Sequence, residues 1–141
     1  VPVGKGRCLK QGQGTAVVTL GPIGTEAARA IALAEEQQPG LQVAHYDLRF
    51  LKPLDEELLH EVGRGFDRVV TVEDGSRLGG MGSALLEWFD DHGYHPRLTR
   101  LGLPDHFVEH GKVGELRQMT GLDAAHICAA ILEGEATEVK A

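Results

Sequence analysis

The sequence predicts an α/β fold, a mostly parallel sheet covered by helices on both faces. Three observations predict it. Short runs of apolar and β-branched residues recur, AVVTL at 16–20, LQVAHYD at 41–47, VVTV at 69–72 and RLTRL at 97–101. Stretches with helical spacing of apolar residues separate them, and glycine or proline stands at most changes from one pattern to the other. Strands that alternate with helices of about a dozen residues are joined by crossovers, which make a parallel sheet.

The stretch Val69 to Phe89, VVTVEDGSRLGGMGSALLEWF, is the organising unit. Val69 to Val72 suits a strand buried on both faces. Glu73 and Asp74 follow where that strand surfaces, then Gly75 and the turn Gly79-Gly80-Met81-Gly82. Met81, Leu85, Leu86, Trp88 and Phe89 then recur at helical spacing.

Taken in order, the first ten residues carry Lys5, Arg7 and Lys10 and no acid, and read as a linker or edge segment. The chain opens without methionine, which suits a fragment or a processed or trimmed chain. Thr15 to Leu20 is the first core strand. Gly21-Pro22-Ile23-Gly24 turns the chain, and Thr25 or Gly24 is expected to cap an alanine-rich helix through Ala34 that Pro39-Gly40 ends. Leu41 to Asp47 is the second strand, with Arg49-Phe50-Leu51-Lys52 beyond it. Asp55 caps a short helix whose positive end receives Glu56 and Glu57. A strand at Arg97 to Leu101 follows the Trp88 helix. Then come an irregular segment over 102–111, helices over 113–119 and 123–132, and a frayed tail.

With 141 residues the chain makes one domain, without an internal repeat. Its net charge of −7 argues against nucleic acid, which needs a basic face. No apolar run approaches the roughly 20 residues of a membrane helix and no signal-peptide pattern opens the chain, so a cytoplasmic location is expected. Cys8 and Cys128 lack metal or CxxC spacing and read as reduced structural thiols.

Ligands of open α/β sheets bind beyond the carboxyl ends of the strands, which makes Glu73, Asp74, Gly79, Gly80, Gly82 and Ser83 candidates by position. Amides of a glycine turn entering a helix can hold an anion, although this turn is neither GxGxxG nor a P-loop. The glycines equally suit close packing of helix on sheet. Glu73 and Asp74 point to opposite sides as adjacent strand residues, and read as solvated carboxylates or partners of Arg77 rather than an acid/base pair. His106 and His110, and His92 and His95, are spaced for metal but flanked by glycine or proline, so no metal is expected. Ser76 and Ser83 lack a nucleophile elbow. Arg49, Phe50 and Lys52 make either a satisfied loop or a docking surface.

These residues carry a resemblance. GKG at 4–6, DLRFLKPLDEELL at 47–59, VTVEDGSRLGGMGSALLE at 70–87, LGLPDHFVEHG at 101–111 and GLDAAHI at 121–127 resemble the C-terminal domain of the 1-deoxy-D-xylulose-5-phosphate synthase family, within the wider transketolase family. Two steps are less typical, Gly21-Pro22-Ile23-Gly24 and Lys112-Val113-Gly114. The resemblance implies a three-layer α/β/α unit with a five-stranded mixed sheet, in which the Arg7–Lys10 region is the antiparallel strand. In that scheme residues 1–14 are linker and edge strand, 15–133 the transketolase C-terminal-like domain, and 134–141 the tail. It implies a whole enzyme that condenses pyruvate with D-glyceraldehyde 3-phosphate, with release of CO2, for isoprenoid, thiamine and pyridoxal synthesis. Thiamine diphosphate and Mg2+ belong to upstream domains, and the third domain helps assemble a homodimer. The family's thiamine signature opens Gly-Asp-Gly and closes on asparagine, whereas this chain has neither that tripeptide nor any asparagine. No cofactor or catalytic residue is therefore expected here, and the isolated domain is expected to be inactive. Arg49, Phe50, Glu73, Asp74 and Arg77 are the candidate interdomain contacts. Two rivals stand beside this reading. One is a small-anion or regulatory domain using the Gly79–Ser83 turn. The other is the matching domain of a transketolase or a 2-oxoacid dehydrogenase β subunit.

Overall fold

A computed structural model describes residues 4–76, 80–103 and 123–140. In chain order its elements are β1 (Arg7–Lys10), β2 (Gly14–Leu20), α1 (Gly24–Gln37), β3 (Ala44–Asp47), α2 (Glu56–Gly65), β4 (Phe66–Ser76), α3 (Met81–Asp91), β5 (Arg97–Leu103) and α4 (Ala124–Lys140). The strands form one five-stranded sheet in the order β1-β3-β2-β4-β5. β2 pairs parallel with β3 and β4, β4 pairs parallel with β5, and β1 runs antiparallel to β3. This is the α/β class expected, with β1 as the antiparallel strand that the family resemblance implied.

Side chains alternate across the pleat, so a strand covered on both faces carries a near-continuous apolar run. Val17, Val70 and Val72 face a core with Ile23, Ala27, Ile31 and Ala34 of the α1 region and Ile127, Cys128 and Ile131 of α4. Ala16, Val18 and Val69 face the opposite core, with Leu59 and Val62 of α2 and Met81, Leu85, Trp88 and Phe89 of α3. The alanines of α1 bring it close to the sheet: Ala27, Ala30 and Ala34 are completely buried.

Asp55 caps α2 as expected, accepting from the Leu58 amide at 3.2 Å, and its other oxygen accepts from the Gly6 amide at 2.9 Å. The α1 cap differs from expectation. Neither Thr25 nor Gly24 caps it; Ile23 stands at the N-cap without a side-chain bond. The Gly24 and Thr25 amides instead donate to the Gly21 and Pro22 carbonyls, which makes the tight turn its own cap. β3 begins at Ala44 rather than Leu41. Gln13 donates to the Gln42 carbonyl there, and Gly12 lies so close that a Cβ would meet the Ala44 nitrogen at 2.3 Å. β4 is longer than its apolar run because it is paired on both sides, with β2 from Gly14↔Phe66 and with β5 as far as Ser76↔Leu103. β5 includes Gly102 and Leu103, expected to be irregular, and α4 continues beyond Leu132 to Lys140. The irregular segment beyond Leu103, the helix over 113–119, His106, His110 and Lys112-Val113-Gly114 lie outside the described residues.

His45 sits in this core, 2% exposed, with Nε2 3.0 Å from Thr19 Oγ1. Burial, partly opposed by the negative charge of Asp47, holds its pKa below the usual histidine value. The unfolded chain therefore binds a proton that the folded one resists, and stability falls as pH drops below the unfolded value of about 6.5. The midpoint of urea unfolding should fall between about pH 7.5 and about pH 5.5, and His45→Gln should flatten that dependence. Equal pH slopes for the two proteins would remove His45 as its source.

Candidate interface at the carboxyl ends of the strands

The parallel strands deliver their carboxyl ends to one edge of the sheet, where the loops after β2, β3 and β4 emerge. Two clusters form there. β3 and β4 are separated by β2, so the clusters stand two strand spacings apart, about 10 Å.

The first cluster follows β3. The Leu48 amide donates to the Thr19 carbonyl at 2.9 Å, which anchors the loop to β2. Arg49 then adopts a left-handed backbone with φ 66°, uncommon for a residue with a side chain. Its amide donates to Asp47 Oδ1 at 3.1 Å, an Asx-type turn that stabilises the bend. Asp47 Oδ2 lies 3.6 Å from Arg7 Nε and 3.9 Å from Arg49 Nε, so one carboxylate faces two guanidinium groups. Gly21, Asp47, Arg49 and Phe50 line an open cavity of about 350 Å³. Arg49 and Phe50 were candidates from sequence, while Gly21 and Asp47 were not. The Asp-x-Arg spacing was the available signal for Asp47, because an aspartate commonly bonds the amide two residues on.

The second cluster follows β4. The solvated reading of Glu73 is overturned: the residue is 5% exposed and accepts from the Met81 amide at 2.7 Å and the Gly82 amide at 3.4 Å. These are orphan donors at the start of α3, whose N-cap, Gly80, has no side chain to serve them. The anion held by the glycine turn is thus the protein's own carboxylate. Gly82 permits close packing, since a Cβ there would meet the Arg100 side chain at 2.9 Å and Thr71 Oγ1 at 3.0 Å. Arg100 donates to Ser83 Oγ at 3.1 Å, which ties α3 to β5. Glu73, Gly80, Gly82 and Ser83 therefore form one unit. Arg77, Gly79 and the Asp74 side chain lie outside the described residues. Glu73→Ala should cost about 2 kcal/mol by stranding two buried amides, and Glu73→Gln, which keeps an acceptor, should cost less. Equal unfolding midpoints for the two variants would contradict the capping role.

The histidine pair read for metal spacing is placed otherwise. His92 stacks on Trp88 at 3.8 Å between ring centroids, and its Nδ1 lies 2.8 Å from the Trp88 carbonyl. Among the described residues no three His, Cys, Asp or Glu side chains gather to hold a metal ion. Nor is any helix among them long and apolar enough to cross a membrane.

A sheet in this order, ending in these loops, defines a class. Residues 4–127 match the family "Transketolase, C-terminal domain", and the chain belongs to it. Its curated relatives narrow the likeness. It is 57% identical over 133 residues to 1-deoxy-D-xylulose-5-phosphate synthase of Bacteroides thetaiotaomicron, a match that covers 94% of this chain and 20% of the relative. The enzyme of that name from Brevibacillus brevis is 41% identical over 133 residues, covering 93% and 21%. The chain thus spans about a fifth of the length of the curated relatives it matches. Among solved structures, a split-gene transketolase described as an inactive β4 tetramer superposes with a TM-score of 0.85 at 33% identity, covering 94% of this chain and 43% of the other. Transketolase of Pichia stipitis, at 19% identity and a TM-score of 0.66 over 92% of this chain and 18% of that one, shares the fold.

Proposed function

We propose that this chain is the interdomain assembly unit of a 1-deoxy-D-xylulose-5-phosphate synthase, docking on the catalytic domains and supporting their homodimer in the cytoplasm. The observation that carries this reading is the match of nearly the whole chain to about a fifth of enzymes of that name. The whole enzyme joins pyruvate to D-glyceraldehyde 3-phosphate with loss of CO2, feeding isoprenoid, thiamine and pyridoxal synthesis. Thiamine diphosphate and Mg2+ would supply carbanion chemistry in the upstream domains. Placing that group upstream is supported by the sequence, which holds no asparagine and no Gly-Asp-Gly. No catalytic step is therefore assigned to it.

Docking falls to the carboxyl-end loops, with Arg49, Phe50, Asp74 and Arg77 as contacts. Glu73 acts from inside, by fixing the start of α3 that carries the neighbouring loop. The small-anion reading of the glycine turn is the weaker one, because Glu73 already engages the Met81 and Gly82 amides. A transketolase or 2-oxoacid dehydrogenase origin is also weaker, since the synthases match at up to 58% identity. In the full-length protein, Phe50→Ala combined with Arg77→Ala should weaken dimer association about ten-fold, equivalent to about 1.4 kcal/mol. Sedimentation and turnover both unchanged would remove the docking role.

A further inference from the structure

The Arg49 cavity carries more charge information than a generic docking loop, and its assignment to a ligand rests on the assembly role proposed for the chain. Arg49 has only 24% of its side chain exposed. Its acidic neighbour among the described residues, Asp47, is 3.9 Å away, too long for a hydrogen bond, and shares its charge with Arg7 at 3.6 Å. Asp47 is thus shared between two cations and neutralises Arg49 only in part. The cavity is open, Gly21 puts bare backbone on one wall, and Phe50 supplies an apolar surface beside the guanidinium. The left-handed backbone at Arg49 costs conformational energy that an ordinary loop would avoid, and such outliers persist where a side chain must be aimed.

We propose that this cavity is the receptor for a carboxylate carried by the preceding domains: an aspartate or glutamate side chain that enters over Phe50 and pairs with Arg49. A guanidinium offers two parallel N–H donors to a carboxylate, and the pair strengthens as docking excludes water. The occupant is a segment of the same enzyme because about four-fifths of each synthase relative lies outside the matched region. An acidic side chain supplies the hydrogen-bond acceptor that the Arg49 guanidinium lacks among the described residues.

The test uses the full-length protein and two variants at one position. Arg49→Glu reverses the charge. Arg49→Gly removes it while relieving the left-handed backbone, so its unfolding midpoint should be equal to or above that of wild type. Both should weaken dimer association about ten-fold or more, equivalent to about 1.4 kcal/mol. Arg49→Lys should keep part of the binding and increase its dependence on salt, because an ammonium lacks the bidentate fork. In parallel, the 141-residue chain is titrated with sodium acetate and with inorganic phosphate at matched ionic strength, followed by amide NMR. Shifts at Gly21, Arg49 and Phe50 with acetate, lost in Arg49→Gly, support the receptor. Shifts with phosphate alone overturn it in favour of a free-phosphate site. Wild-type association in both Arg49→Glu and Arg49→Gly also overturns it. Deleting the whole domain separates the receptor from the assembly role. If deletion abolishes association and the Arg49 variants do not, the receptor falls and the assembly role stands; if deletion changes nothing, the assembly role itself fails.

Discussion

Phe89→Ala is expected to destabilise the chain by about 4 kcal/mol, the cost of emptying a packed core position. Phe89 is 2% exposed in the core between the sheet and α2 and α3, with its ring 5.8 Å from Trp88 and 6.4 Å from Tyr94, both edge to face. Two features keep that space from collapsing. Gly63 lies under the Tyr94 ring, where a Cβ would come within 2.7 Å, and Gly82 holds α3 against β4 and β5. Because α3 begins at the Glu73 clamp, loosening its far end should also reach the candidate interface. Urea unfolding checks the size of the effect. A loss below about 1 kcal/mol would mean that α3 is held by its first turn alone.

Arg68→Met is expected to cost about 3 kcal/mol, although it replaces a charge with an apolar side chain in a buried place. Arg68 is 4% exposed on β4, and its guanidinium donates to the Ala130 carbonyl at 2.8 Å, the Ile131 carbonyl at 3.1 Å and Thr99 Oγ1 at 3.3 Å. It ties the middle of α4 to the sheet. A methionine can fill the volume, but it forfeits the three guanidinium hydrogen bonds that join α4 and Thr99 of β5 to β4. The expected result is a lower urea midpoint, with proteolytic cleavage moving into α4. An unchanged midpoint and cleavage pattern would show that apolar contacts of Ile127, Cys128 and Ile131 suffice to seat the helix.

The two substitutions differ in how visible their sites were in the sequence. Phe89 belongs to a periodic pattern with Leu85 and Trp88, and periodicity reports which face of a helix is buried. Arg68 carries no such signal. It precedes an apolar run, and an arginine at a strand entrance looks like any solvated cation until α4, 62 residues on, supplies carbonyls. Glu73 was misread for a related reason. Its position at the end of a strand was legible, but its direction depends on where α3 begins, and the amides that claim it are eight and nine residues away. Local chemistry was read well where its partner is local, as with the Asp55 cap. It was read poorly at Ile23, where a turn satisfies its own amides. Arg49 and Phe50 were legible as an unusual cation–apolar loop, whereas the cavity they line needs β2 beside β3.

The measurement that tests the central claim most directly is turnover by the 141-residue chain alone. Pyruvate and D-glyceraldehyde 3-phosphate would be supplied with thiamine diphosphate and Mg2+, and product formation followed against a no-protein control. An assembly unit without catalytic groups predicts no turnover, with activity only when the upstream domains are present. Turnover above the control, in a preparation free of host enzyme, would contradict the account and place chemistry within this chain.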